Sequence, residues 1–344
     1  MASRRFPAEW EPQEGVLLCF PHNGNDWPGK YGAVQWAFVE FIKKVAEEEN
    51  VFLVVKDERL KEKVSEMLGM ASVSSKNIHF ILQKTNRSWM RDSGPIIIKN
   101  NGKREALNFN FNGWAKYKNW HMDKHVPEKV SEHLGLALTP VTYKGKNVVL
   151  EGGALEVNGK GTLVTSEECL LHPSIQVRNT GFTKKDYEAI FEDYLGITNT
   201  IWLKDGIVGD DTHGHIDDLC RFVNESTIVI VVESNRQDDN YAPLQENLKR
   251  LKKAKLENGD AVNVIELPMP GKIIFDGLRL PASYANFLIL NGTVLVPVFN
   301  DPNDRVALNI LADCFPDRKV IGLSCIDFIW GFGTLHCLSQ QIPV

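Results

Sequence analysis

Apolar positions recur at helical spacing in five separate stretches of the chain. Leu60, Val64 and Leu68 share one face of 57–68, and Val126, Val130 and Leu134 share one face of 123–134. Tyr187, Ile190, Phe191 and Leu195 do the same over 183–195, as do Leu244, Leu248 and Leu251 over 243–253. The last stretch, 304–315, carries Val306, Leu308, Ile310, Leu311 and Cys314. Spacings of three and four residues put side chains on one stripe, so each stretch predicts an amphipathic helix. Thr183 is an N-cap type, and Gly135 supplies a C-terminal stop. A further helix over 34–48 precedes the five.

A short β-prone run follows each helix, at 78–81, 138–141, 200–203, 262–265 and 320–323. Two more strands are expected at 227–232 and 293–298. Each run leads into a loop rich in Asp, Glu, Gly or aromatic residues, around Asp92, Glu151, Asp211, Asp276 and Cys337. The helices start roughly 60–66 residues apart, a period long enough for a repeated supersecondary unit. Two arrangements fit: one α/β sheet with simple alternation, or five βαβ-type units about an axis with their polar loops at one end. Closed radial repetition protects strand edges and lines a central pocket from every unit. It also lets residues 1–344 form a single domain.

Composition narrows the function. Apolar residues are 43% and charged residues 24%, the balance of a globular chain with a substantial core, which excludes disorder, collagen and coiled coil. A net charge of -5 with no long basic run argues against a nucleic-acid partner. No apolar stretch reaches the ~20 residues of a membrane span, and no apolar run follows Arg4 and Arg5 as in a secretory signal. Six scattered cysteines without a CxxC pair read as reduced thiols, so a cytoplasmic location is expected. A homo-oligomer is compatible with this composition.

The loops carry the candidate chemistry. In Trp89-Met90-Arg91-Asp92-Ser93-Gly94-Pro95, an indole face and a carboxylate both attract a guanidinium; equally, an Arg91–Asp92 salt bridge could pin a turn. Glu151 follows an apolar run and precedes Gly152 and Gly153, so it is either a solvated turn residue or a buried carboxylate that needs a partner. In the segment 210–218, an extended chain would put His213, His215 and Asp217 on one face. That spacing suits a metal site or a general acid/base histidine flanked by carboxylates; a solvated acidic turn is the third reading. Cys337 follows a Gly-x-Gly turn and His336 in a polar end segment, the setting of a tunable thiol, although cysteine often serves as a small buried apolar residue.

Taken in order, Trp89-x-Arg91-Asp92-x-Gly94-Pro95, Glu151-Gly152-Gly153, Asp211-x-x-x-His215-x-Asp217 and His336-Cys337-x-x-Gln340-Gln341-Ile342-Pro343 resemble the agmatine deiminase family, of the guanidine-modifying pentein superfamily. The resemblance runs from about Pro7 to the last residue. It implies a five-bladed α/β propeller with fivefold pseudosymmetric ββαβ units around a central active site. It implies Cys337 as nucleophile, His215 as general acid/base, Asp92 and Asp217 as clamps on the guanidinium, and Glu151 as support for the histidine. Trp89, Asp211 and Trp114 would contact substrate. No metal and no organic cofactor is implied, and the partner is a small cationic guanidine. Agmatine deimination is the leading expectation, with deimination of peptidyl-arginine as the alternative. A metal-dependent amidohydrolase using His213, His215 and Asp217 and a non-catalytic polyamine-binding protein are the readings from other classes. The chain departs from the family pattern at Gly331-Phe332-Gly333-Thr334-Leu335, at His213, and at Phe111-Asn112-Gly113-Trp114-Ala115-Lys116, where the family segment usually reads Phe-Asn-Ala-Trp-Gly-Gly. These departures bear on what reads the substrate's far end.

Overall fold

A computed structural model describes residues 4–344. The chain is α/β, and five of its sheets repeat one plan: an antiparallel pair, then a parallel step across a helix. Ile96–Asn100 pairs antiparallel with Lys103–Asn108, which pairs parallel with Leu138–Pro140 across the helix Val126–Leu134. The same order runs through Glu156–Val157, Thr162–Ser166 and Asn199–Leu203, and through Cys220–Phe222, Thr227–Val232 and Asn263–Pro268. It recurs in Leu288–Ile289, Thr293–Val298 and Lys319–Ser324. In the fifth sheet the C-terminal strand Ser339–Pro343 pairs antiparallel with Gln13–Cys19, which lies parallel to Asn50–Val55. The two ends of the chain therefore meet in one sheet, next to Cys337.

The expected helices and strands form close to their predicted limits, but the count of units needs one correction. The helix Tyr31–Ala46, expected as an addition, is the crossover between Gln13–Cys19 and Asn50–Val55 and so holds the equivalent place in its sheet. The helix Glu58–Met70, with the strand Ile78–Leu82, is the extra element. Even spacing misled here because residues 31–46 and 58–70 form two consecutive crossovers within one sheet.

Local chemistry explains where helices begin and end. The Asp57 side chain accepts from the Leu60 amide at 2.8 Å. Thr183 and Asp186 form a reciprocal capping box at the start of Lys184–Ile190. Gly135, at φ 64°, closes Val126–Leu134 in the left-handed conformation that a side chain would strain.

Central strands are buried on both faces, so they read as continuous apolar runs. In Gln13–Cys19, Val16 and Leu18 enter the largest core while Leu17 and Cys19 enter a smaller one. Asn50–Val55 alternates in the same way, with Val51 and Leu53 against Phe52 and Val54. These two-sided strands are stiff supports, and the loops at their ends build the site. Among the described residues, no helix is long and apolar enough to cross a membrane.

Candidate active site

Loops from several sheets enclose a cavity of about 520 Å³, whose wall includes Trp89, Asp92, Trp114, Asp211 and Cys337. Glu151, His215 and Asp217 lie behind that wall, almost wholly buried. The cavity is thus lined by residues from four of the five expected loops, those of Asp92, Asp211, Asp276 and Cys337, with Glu151 in the layer beneath.

Asp92 sits on the short helix Met90–Ser93. Its Oδ2 accepts from Trp114 Nε1 at 2.9 Å, and its Oδ1 accepts from the Gly153 amide at 3.2 Å. Burial, helped by the nearby charges of Asp217 and Glu151, pushes its carboxyl up to about 6 against the opposing pull of His215. His215 Nδ1 lies 3.8 Å from Asp92 Oδ1, and its Nε2 lies 3.8 Å from Glu151 Oε2. Both ring nitrogens are buried with no hydrogen-bond partner. Burial alone would lower the histidine's pKa, but Asp92, Cys169 and Glu151 together hold it well above the usual value. Gly153 must be glycine for this packing, because a Cβ there would stand 2.4 Å from His215 Nδ1.

Glu151 is partnered by Arg178, whose Nε lies 3.2 Å from Oε1 with both side chains fully buried. Despite the cost of burial, that guanidinium, aided by His215, holds the carboxyl down at about 2. Glu151 is therefore a permanent anion behind the imidazole.

Cys337 is 6% exposed, with its sulfur at the cavity wall. Asn286 Nδ2 lies 3.0 Å from the sulfur, and Asp217 Oδ2 lies 3.6 Å away. The Asn286 side-chain oxygen in turn accepts from the Thr334 hydroxyl at 2.7 Å and from the His336 amide at 3.1 Å. Burial and the charges of Asp217, Asp218 and Asp92 push the thiol well above its ordinary value. A cation entering the cavity would reverse that bias. The Gly331-Phe332-Gly333 turn exists for close approach: a Cβ on Gly333 would stand 2.7 Å from the Trp89 ring and 3.0 Å from Cys337 Cβ. Trp89 is also packed on Trp27, with ring centroids 5.4 Å apart.

At the mouth, Asp211 receives the Tyr117 hydroxyl at 2.6 Å and forms an ion pair with Lys116. Arg87 pairs with Asp26 at 2.8 Å and lies over the Tyr117 ring at 4.0 Å. The side chains of Trp114, Tyr117 and Phe111 meet edge to face.

Two readings of the sequence fail. His213 does not join His215 and Asp217, because it adopts φ 66° and turns toward Glu168, with Nε2 3.6 Å from Oε1. Residues 216–218 then form a 3-10 turn, so the segment is not extended and the His213–His215–Asp217 ligand set does not assemble. Arg91 does not bridge to Asp92; it reaches the His336 carbonyl at 3.2 Å and Glu9 at 3.5 Å. Cys169, which lacks telling neighbours in sequence, lies with its sulfur within 4.8 Å of a ligand atom of Glu151 and of His215. Sequence reading also missed Arg178 and Asn286. Neither stands in a motif or a periodic stretch, and only tertiary contact reveals them.

Comparison with known proteins agrees with this geometry. The model of a family described as Porphyromonas-type peptidyl-arginine deiminase matches residues 5–343. An agmatine deiminase from Pseudomonas syringae pv. tomato is 32% identical over 362 residues, covering 98% of this chain and 95% of the relative. The structure of an Enterococcus faecalis agmatine deiminase superposes with a TM-score of 0.90 at 30% identity, covering 99% of this chain and 96% of the other. A C. jejuni agmatine deiminase with substrate bound gives 0.88 at 31% identity, with the same coverage.

Proposed function

We propose, starting from a chain that belongs to the Porphyromonas-type peptidyl-arginine deiminase family, that it is an agmatine deiminase. It hydrolyses a C–N bond of the guanidinium, converting agmatine and water to N-carbamoylputrescine and ammonia. The observation that carries the assignment of roles is the convergence on one cavity of Asp92 and Cys337, with His215 3.8 Å behind the first and Asp217 3.6 Å from the sulfur of the second.

A guanidinium is planar, delocalised and resistant to attack by water. Asp92 and Asp217 bind its N–H groups and hold the central carbon before Cys337. The bound cation favours the thiolate, the thiol proton passing to solvent, and the sulfur adds to the carbon to give a tetrahedral adduct. His215, kept protonated by its anionic neighbours, gives its proton to one departing nitrogen, and ammonia leaves a thiouronium on the sulfur. The neutral imidazole then takes a proton from water. The resulting hydroxide attacks the same carbon, and the C–S bond breaks to release the thiolate and the ureido product, whose hydroxyl proton passes to solvent. Three unpartnered buried atoms, Asp217 Oδ1 and the two nitrogens of His215, support these roles.

The five repeated sheets support a five-bladed α/β propeller closed around this cavity, with residues 1–344 as one catalytic domain. The product class fits polyamine synthesis in the cytoplasm. A second reading, deimination of arginine in peptides, draws support from the mouth, where Lys116 already occupies Asp211 and disfavours a cationic substrate tail. Ammonia release from agmatine, free arginine and a blocked arginine peptide separates the two. Mass spectrometry of enzyme quenched during turnover should find the substrate-derived adduct on the peptide containing Cys337. Turnover of the blocked peptide without turnover of agmatine overturns the first reading, and an adduct elsewhere overturns the role of Cys337.

A further inference from the structure

Beneath Cys337 lies a buried chain of charge of which the mechanism above uses only Asp217. His336 Nδ1 is 2.7 Å from Asp217 Oδ2, and its Nε2 is 2.9 Å from Glu9 Oε2. The ring is 1% exposed. Glu9 also pairs with Arg221 at 2.8 Å, and Arg221 with Glu156 at 2.8 Å. Glu9 comes from the N-terminal segment, Asp217 from the Ile216–Asp218 turn and Arg221 from the Cys220–Phe222 strand, so the histidine joins distant parts of the chain.

Proton counting constrains this arrangement. A carboxylate oxygen beside a bare ring nitrogen would be lone pair against lone pair, so each short contact needs one proton. Asp217, His336 and Glu9 therefore share two protons and carry a net charge of one negative, opposite the Arg221 guanidinium. Burial, Arg221 and Arg91 lower the histidine's pKa overall against Glu9 and Asp217, yet contacts of 2.7 and 2.9 Å to two carboxylates each require a proton, and that geometry decides the count. Glu9 is held far below the usual carboxylate range by Arg221, His336 and Arg91 despite burial. Asp217 too is held low, the hydrogen bond and charge of His336, with His215 and Arg91, outweighing burial.

The contact also decides which oxygen Asp217 offers. His336 occupies Oδ2, while Oδ1 is buried and unpartnered. The backbone of His336 is fixed as well, its amide by Asn286 and its carbonyl by Arg91. One residue thus ties the segment bearing the nucleophile to the carboxylate that must receive substrate.

We propose that His336 is a positioning residue: it donates through Nδ1 to Asp217 Oδ2 and thereby holds Oδ1, ionised, toward the guanidinium. This rests on the deiminase reading above. The groups facing the pair are Glu9, Arg91, Arg221, Asp92, Asp218, His215 and Cys337, and all of them are retained in the test.

The test compares His336→Leu with His336→Asn, whose side-chain amide can supply a donor near the Nδ1 position. The leucine variant loses the interaction that lowers the Asp217 pKa, so that pKa rises and the carboxylate protonates at higher pH. The acid limb of kcat/KM for agmatine should move to higher pH and KM should rise at least roughly thirtyfold, a loss set by one charge-assisted hydrogen bond. His336→Asn should recover KM to within a few-fold of the unsubstituted enzyme. An unchanged KM and acid limb in the leucine variant overturns the proposal. So does an asparagine variant no better than leucine at equal melting temperature. If neither variant folds, nitrogen-15 NMR of histidine-labelled unsubstituted protein decides: a protonated His336 Nδ1 or a proton shared with Asp217 supports the proposal, and a bare Nδ1 facing a bare carboxylate overturns it. Absence of turnover in the unsubstituted enzyme with any guanidine would instead defeat the functional reading.

Discussion

The floor beneath the cavity and the Lys116–Asp211 rim at its mouth both carry ion pairs, yet they obey different physics. On the floor, Glu151–Arg178 and Glu9–Arg221 are removed from water, and most of the residues that make them are separated widely in sequence. At the mouth, the Lys116 side chain is 40% exposed and its Asp211 partner 17%. Charges in a buried site interact strongly and are costly to leave alone, whereas exposed pairs contribute little and are screened by salt. The floor is accordingly suited to fixing charge at defined atoms, and the mouth to exchanging one cation for another. Breaking a floor contact should change chemistry or folding; breaking a mouth contact should change preference among substrates.

The largest effect expected on the floor is from Cys337→Ala. Loss of the proposed nucleophile should lower kcat by at least roughly a thousandfold, as removal of a covalent catalyst does. Steady-state ammonia release measures it, with circular dichroism confirming the fold. Retention of more than a tenth of the activity would contradict a covalent route.

Asp92→Asn sharpens the same comparison, because it should push two readouts in opposite directions. Removing a proposed clamp on the guanidinium should lower kcat/KM by roughly a hundredfold, the scale of a lost charged hydrogen bond. The thiol of Cys337 is raised by burial and then by the charges of Asp217, Asp218 and Asp92. Deleting one of those charges lowers the thiol's pKa, so at pH 8 more thiolate forms and alkylation by iodoacetamide should quicken several-fold. Mass spectrometry of the peptide containing Cys337 follows this without interference from the partly buried Cys314. Slower alkylation would mean that Asp92 does not act on the sulfur electrostatically.

Arg178→Gln tests folding rather than turnover. It leaves Glu151 fully buried without its cation, a change that costs about 3–5 kcal/mol when one partner of a buried pair is removed. A clear fall in the denaturant midpoint is expected. An unchanged midpoint would show that His215 alone satisfies Glu151.

Much of this was legible in the sequence, for reasons particular residues make clear. Thr227–Val232 and Thr293–Val298 have the limits expected from their β-branched and apolar runs, the second in spite of Pro297. Five of the eight proposed site residues line the cavity and the other three lie directly behind it. What stayed hidden depends on contacts across the fold. Arg178 lies 27 positions from Glu151 and Asn286 lies 51 from Cys337, with no local pattern to link them. His213 misled because strand periodicity was applied to a segment whose backbone turns left-handed at that residue.

The mouth supplies the smallest and most selective effect. Lys116 stands where the resembling family segment carries glycine, and its ammonium pairs with Asp211 at the cavity's edge. An incoming ammonium tail would have to displace it, whereas a neutral or anionic tail would not. Lys116→Gly should therefore lower KM for agmatine by a few-fold with kcat unchanged, since the pair is remote from the bond that breaks. The same change should leave KM for a blocked arginine peptide unaltered or raised. Because the competing ammonium groups reach solvent, the gain for agmatine should shrink as salt rises from about 0.05 to 0.5 M, where screening shortens the reach of exposed charges. If the substitution lowers kcat instead, the mouth helps to order the reacting groups, and the division between a fixed floor and an exchangeable rim is wrong.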